Sequence, residues 1–159
     1  MVRHPSLSIP PGETLLDVLR WRAEHQSEQP AYVFLRDGIS PDIVLTYRQL
    51  DATARSIDGD LQSRFAPGDR LLLVYPPGLE FVQAFWGALC AGLVAVPVPP
   101  PDAFRARVGV TRVQRIAEDA GVAGALSTNQ ILALVRAQGT TIPLEQWVIC
   151  DAATPYSPA

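Results

Sequence analysis

From Leu71 to Cys150 short uncharged apolar runs alternate with stretches of helical period, and this alternation constrains the fold more than any other feature of the chain. The runs are Leu71–Tyr75, Leu93–Val96, Val122–Leu126 and Trp147–Cys150. Between them lie Leu79–Ala91, Arg105–Ala120 and Ile131–Ala137, each with apolar residues on one helical face. A strand apolar at every position suits a place covered on both faces, which Leu71–Tyr75 and Leu93–Val96 predict. Strands alternating with helices imply a parallel sheet with right-handed crossovers. The expected class is therefore α/β, a mainly parallel sheet flanked by helices.

Upstream, an initial helix and a β-hairpin are expected. Thr14 starts the helix with Asp17 in capping position, and Leu15, Val18, Leu19 and Ala23 share a face. Ala31–Arg36 and Ile43–Leu45 read as two strands around the turn-rich segment 37–42. Thr46 and Gln49 then form a capping box, with Leu45 and Leu50 placed as a hydrophobic staple. Leu50, Ala54, Ile57 and Leu61 make one buried stripe, and Pro67-Gly68 ends that helix. Pro76-Pro77-Gly78 turns the chain into the next helix, whose inner face is Phe81, Phe85, Ala88 and Leu89. Gly92 suits the position just past its end. Val113, Ile116, Ala117 and Ala120 point inward on the following helix, and Ser127-Thr128-Asn129 offers N-caps for the last one.

Composition removes several kinds of chemistry. All 13 basic residues are Arg, so a Schiff base or a phosphate-loop lysine is ruled out for these residues. A net charge of −3 argues against nucleic acid as the main partner, since phosphate neutralisation needs a cationic face. Two cysteines exclude a disulfide scaffold or a cysteine-only metal site, and the two histidines form no ligand pair; no metal site is expected. Phe81–Pro101 carries no charge, but Gly92 divides it and Pro97, Pro99, Pro100 and Pro101 close it. It reads as a buried helix and strand, not a membrane span. The first residues lead into no signal-peptide core, so a cytoplasmic protein is expected. The GxGxxG, GxxxxGK and GxSxG fingerprints are absent.

In open α/β sheets ligands gather outside the carboxyl ends of strands. Three loops qualify: Tyr75-Pro76-Pro77-Gly78, Pro97–Pro101 and Ser127-Thr128-Asn129. The first is either a stiff strand–helix joint or a ligand lining, and the proline tract either a surface crossover or a pocket wall. Arg105, Arg112 and Arg115 fall on one side of a helix, as a solvated face with Asp119 pairing Arg115, or as a phosphate-binding face. Cys90 reads as a core residue and His25 as a favourable charge at a helix end.

Several segments together resemble a known family. Gly68–Phe81 (GDRLLLVYPPGLEF), Ala84–Pro97 (AFWGALCAGLVAVP) and the upstream Thr46-Tyr47-Arg48-Gln49-Leu50 are similar to the N-terminal part of adenylate-forming enzymes. Tyr75–Phe81, Val96–Pro101 and Arg112–Asp119 followed by Leu126-Ser127-Thr128 resemble fatty acyl-AMP ligases within that superfamily. The resemblance implies the N-terminal subdomain of an AMP-binding domain over 14–151, after an extended lead-in at 1–13 and before a linker at 152–159. It implies a reaction of ATP and Mg²⁺ with a fatty acid to give acyl-adenylate. The acyl group then passes to the phosphopantetheine thiol of an acyl carrier protein, as in polyketide synthase loading, with the remainder of the ligase or synthase as further partner. The family's phosphate loop with its lysine, adenine motif, ribose-binding aspartate and C-terminal lysine have no counterpart here, so no catalytic or cofactor-binding residue carries over. The isolated chain is expected to be inactive and to bind ATP and Mg²⁺ weakly. What carries over is a substrate or pantetheine channel lined by Tyr75, Pro76, Pro77, Gly78, Arg112 and Arg115, the arginines lying where thiol-donor phosphates approach. A non-catalytic acyl-binding or carrier-docking module and an acyl-CoA synthetase fragment are the alternatives.

Overall fold

Capping decides where the helices begin. In a computed structural model describing residues 12–35, 38, 43–101, 106–138 and 146–150, Thr14 and Asp17 close a reciprocal capping box at the head of α1 (Leu15–His25). Thr46 and Gln49 do the same for α2 (Tyr47–Gln62). Each box satisfies backbone N–H groups that the first helical turn leaves without partners. Two more are taken by the preceding loop, where Tyr47 and Arg48 donate to the carbonyls of Gln29 and Ser27 at 3.1 Å each. The staple residues Leu45 and Leu50 meet in one cluster with Leu19. Leu15, one turn before Leu19 on the same face, is 59% exposed at the head of α1, beyond the packing that buries Leu19.

The hairpin joins β1 (Pro30–Phe34) to β2 (Ile43–Thr46) in antiparallel register, Tyr32 opposite Leu45 and Phe34 opposite Ile43. Most of the expected turn at 37–42, like Arg36, lies outside the described residues, as do nearly all of the 1–13 lead-in and the whole 152–159 linker. All four residues of the α2 stripe, Leu50, Ala54, Ile57 and Leu61, are buried. The helix ends at Gln62 with Ser63 as its cap, before the Pro67-Gly68 turn expected to stop it.

The remaining strands form one parallel sheet: β3 (Arg70–Val74), β4 (Val94–Val98), β5 (Gly124–Ser127) and β6 (Trp147–Ile149), in the spatial order β4-β3-β5-β6. The connecting helices are α3 (Leu79–Cys90), α4 (Ala106–Ala120) and α5 (Asn129–Gln138). Side chains alternate across the central strand. Leu71 and Leu73 pack with Ile57, Leu61, Ala84 and Ala88 of α2 and α3. Leu72 and Val74 pack with Val110, Val113, Ala117, Leu132 and Val135 of α4 and α5. The sheet is thus covered by helices on both faces, which explains why β3 is apolar throughout.

Three expectations need correction. Among the described strands β4 lies at the edge of the sheet, with Val94 47% exposed, and is not buried on both faces. Being on the edge accommodates Pro97, which has no N–H to give a further strand. On α3 the expected Ala88 is buried and Phe81 and Phe85 pack half-buried against the core, but Leu89 is only half-buried, and the face turned furthest inward also holds Gln83, Ala84 and Gly87. Small residues lie innermost because α2 approaches closely: a β-carbon on Gly87 would stand 2.4 Å from Ile57 Cγ2. Cys90, on the same helix, is half-buried and not a core residue. Gly92 does end α3, at φ +71°. Leu93 N–H donates to Ala88 O and Gly92 N–H to Leu89 O, each at 3.0 Å, the pairing of a Schellman turn.

Candidate functional site

The strand order locates the crevice. From β3 the chain crosses through α3 to β4 on one side; from β5 it crosses through α5 to β6 on the other. The carboxyl ends of β3 and β5 are therefore neighbours whose onward connections diverge, and such a switch point is where open α/β sheets bind ligands. A fully buried Ser127 joins the two ends, its Oγ donating to Val74 O at 2.7 Å. Thr128 follows as the cap of α5, its Oγ1 accepting from Ile131 N–H at 3.3 Å. Tyr75 is buried at the end of β3, and its hydroxyl reaches Cys150 O at 3.5 Å, beyond the end of β6. Pro76 and Pro77 are exposed on the rim, and Gly78 sits at the head of α3 with no side-chain cap.

The arginines lie elsewhere. Val110, Val113 and Ala117 turn one face of α4 to the sheet. Arg107, Val108, Thr111, Arg112 and Arg115 line an open depression of about 520 Å³ on its other side. Tyr75 belongs to the cluster beneath α2 and α3, whereas α4 covers the opposite sheet face. Among the described residues Tyr75 and the arginines are thus set on different layers of the sheet. Arg105 lies outside the described residues. The expected pairing of Arg115 with Asp119 is not formed; among the described residues the side-chain ion pairs are Arg48–Glu28 and Arg55–Asp51, both at 2.8 Å. Sequence reasoning missed Arg107 and Thr111, although their spacing to Arg115, eight and four residues, places all three on one helical stripe. It also missed Ser127 as the link between strand ends, because a single serine in a strand carries no local signal.

Other polar groups have structural explanations. His25 Nδ1 lies 2.9 Å from Trp21 O, and its ring stacks on Trp21 at 4.6 Å. Arg70 donates to Ala120 O at 3.2 Å, and Arg22 lies 5.3 Å over the Tyr47 ring. The described residues hold no cluster of His, Cys, Asp or Glu fit for a metal ion. No described helix is long and apolar enough to cross a membrane.

Comparison with known proteins gives a consistent family. The AMP-binding enzyme family matches residues 19–157. The medium-chain-fatty-acid–[acyl-carrier-protein] ligase JamA of Moorena producens (strain JHB) is 43% identical over 114 residues, 72% of this chain and 19% of JamA. Human Disco-interacting protein 2 homolog A is 31% identical over 137 residues, 84% of this chain and 9% of that protein. Among solved structures, a fatty acyl-adenylate ligase from Legionella pneumophila, in complex with acyl adenylate and pyrophosphate, superimposes with a TM-score of 0.67 at 32% identity. That match covers 82% of this chain and 24% of the ligase. The chain thus spans a quarter or less of the length of these relatives. With the parallel sheet, its flanking helices and this similarity together, the chain belongs to the AMP-binding enzyme family of the adenylate-forming superfamily and corresponds to the N-terminal portion of its fatty acyl-AMP ligases.

Proposed function

We propose that this chain is the N-terminal subdomain, over 14–151, of a ligase that activates a fatty acid with ATP and Mg²⁺ to acyl-adenylate. The acyl group then passes to the phosphopantetheine thiol of an acyl carrier protein, a reaction suited to loading a polyketide or peptide synthase in the cytoplasm. The observation that carries the reading is the 43% identity to a fatty-acid ligase whose named acceptor is an acyl carrier protein. The Legionella ligase, which holds acyl adenylate and pyrophosphate, supports the same chemistry. In this reading Tyr75, Pro76, Pro77 and Gly78 form part of the wall along which the acyl or pantetheine chain runs. Arg112 and Arg115 present cationic groups to the thiol donor.

Adenylate formation requires that the charge of a triphosphate be met and the carboxylate held in line with the α-phosphorus. With no lysine in 159 residues, this chain offers only arginines for the first task. Among the described residues the switch point is lined by Tyr75, Ser127, Thr128 and prolines, not by cations. The reaction is therefore assigned to the assembled ligase, and the chain by itself is expected to be inactive. Pyrophosphate release from ATP and a medium- or long-chain fatty acid tests this. The 159-residue chain should give background rates, and a chimaera carrying residues 14–151 in place of the matching JamA segment should turn over. Turnover by the chain alone, or a folded chimaera that activates no fatty acid, would overturn the proposal. A second reading is a non-catalytic acyl-binding or carrier-docking module of the same family. The same chimaera decides between them.

A further inference from the structure

We propose that the outer face of α4 is a protein-docking surface, and that its occupant is an acidic helix of the carrier protein. The inference rests on the carrier-dependent reading above and assigns it a place in the fold. Four observations converge on it. Arg107, Arg112 and Arg115 are grouped around one open depression, and among the described residues none of them has a carboxylate partner. Arg107, Arg112 and Arg115 outnumber the acids of this face, Glu118 and Asp119 at its C-terminal end, so it carries a cationic excess in a chain whose net charge is −3. From Arg107 to Arg115 the helix rises by about 12 Å at 1.5 Å per residue. That length matches a row of carboxylates along a facing helix better than the oxygens of one phosphate. Finally, Val108 stands among these cations with 70% of its surface in water.

The valine separates a protein from a small anion. A phosphate held by guanidinium forks leaves Val108 hydrated and gains nothing from it. A helix with acids four residues apart and an apolar residue between them covers the valine while its carboxylates meet the arginines. Opposite charge across such a surface speeds encounter and fixes orientation, and it does so most strongly at low ionic strength. An orientation fixed on α4 sets from which side a carrier's thiol-bearing arm enters the ligase.

The experiment uses an acidic acyl carrier protein in its apo form, which lacks the phosphopantetheine arm, so that any binding reads the protein surface alone. Binding to the 159-residue chain is measured by fluorescence anisotropy at low and high ionic strength, with coenzyme A as competitor. Apo-carrier is expected to bind, and to bind more weakly as salt rises. The pair Arg112→Glu and Arg115→Glu should weaken it by about tenfold or more, and Val108→Ala by a few-fold. Arg64→Glu, an exposed site following α2 in the other helix layer, should change it by less than about twofold. Excess coenzyme A should fail to displace the carrier. All these side chains are exposed, and circular dichroism confirms that each variant is folded. The proposal is overturned if apo-carrier does not bind at low salt, if the double reversal binds as tightly as the parent, or if coenzyme A displaces the carrier, which would make the face a phosphate subsite. A chimaera that activates fatty acid while its carrier binding ignores these variants overturns the docking surface and leaves the proposed function standing.

Discussion

Replacing Gly87 by alanine should destabilise the protein, although the same change at Gly59 should stabilise it. Both glycines lie inside helices, Gly87 in α3 and Gly59 in α2. Alanine is favoured over glycine in a helix interior by about 1 kcal/mol. At Gly59 nothing lies within 4 Å of the added carbon, so that gain of about 0.5–1 kcal/mol is realised. At Gly87 the new β-carbon would stand 2.4 Å from Ile57 Cγ2 and 2.6 Å from Ile57 Cβ. A rotamer change moves Cγ2 but not Cβ, which follows the backbone of α2. Normal carbon contacts need about 3.5–4.0 Å, so the two helices must separate by roughly 1 Å. Their interface also carries Leu61, Ala84 and Ala88 against the sheet, and all of that packing loosens together. Overpacking of this kind costs about 1–3 kcal/mol, and a clash with a backbone-fixed carbon belongs near the upper end. After subtraction of the helix gain, Gly87→Ala should lose about 2 kcal/mol. Urea denaturation followed by circular dichroism measures both variants against the parent. If Gly87→Ala is as stable as the parent, the close α2–α3 approach is wrong.

Two further outcomes follow from titrating groups. Asp17 is held below the usual carboxylate range, chiefly by the hydroxyl of Thr14 at 2.8 Å and also by the Thr14 backbone N–H at 3.0 Å. A depressed folded-state value contributes stability that is present above the unfolded value of about 4 and lost as pH falls through the folded one. Acidification through that window should loosen the head of α1, and Thr14→Ala should flatten the dependence; an Asp17 carboxyl that titrates by NMR at the ordinary value in the parent refutes this. Burial is the main cause pushing the Cys90 thiol above its ordinary value, with Asp58 adding to it. Iodoacetamide should therefore modify Cys90 slowly at neutral pH and faster only beyond the ordinary thiol range of about 8.5. Mass spectrometry that finds neutral-pH alkylation as fast as in a short cysteine peptide would count against it.

Element type and position were legible in the residues wherever the signal is local. The Thr46–Gln49 box, the Leu50, Ala54, Ile57, Leu61 stripe and the Gly92 stop each act within a few residues, and each stands in the structure as expected. Local signals failed where a neighbour distant in sequence decides the outcome. The apolar run at 94–98 reads alike at the centre of a sheet or on its edge, and only pairing with β3 alone, among the described strands, makes it an edge. On α3 the large aromatics suggested the inner face, but the approach of Ile57 reserved its innermost part for Gly87 and its small neighbours. The candidate site divides in the same way. Its strand-end loops could be read from the alternation of strands and helices, whereas the grouping of Arg107 with Arg112 and Arg115 depended on which face of α4 meets the sheet.

What the sequence determined by itself was the set of helices and strands, because capping hydrogen bonds and side-chain periods are satisfied within a turn or two of the chain. What only the tertiary structure decided was the order β4-β3-β5-β6. From that order come the switch point beside Ser127 and the exposed edge at Val94, while the packing of α4 on the sheet face opposite Tyr75 separates that residue from the arginines. The physical reason is that strand order is chosen by burial and pairing between residues tens of positions apart, and no short window of sequence contains both partners.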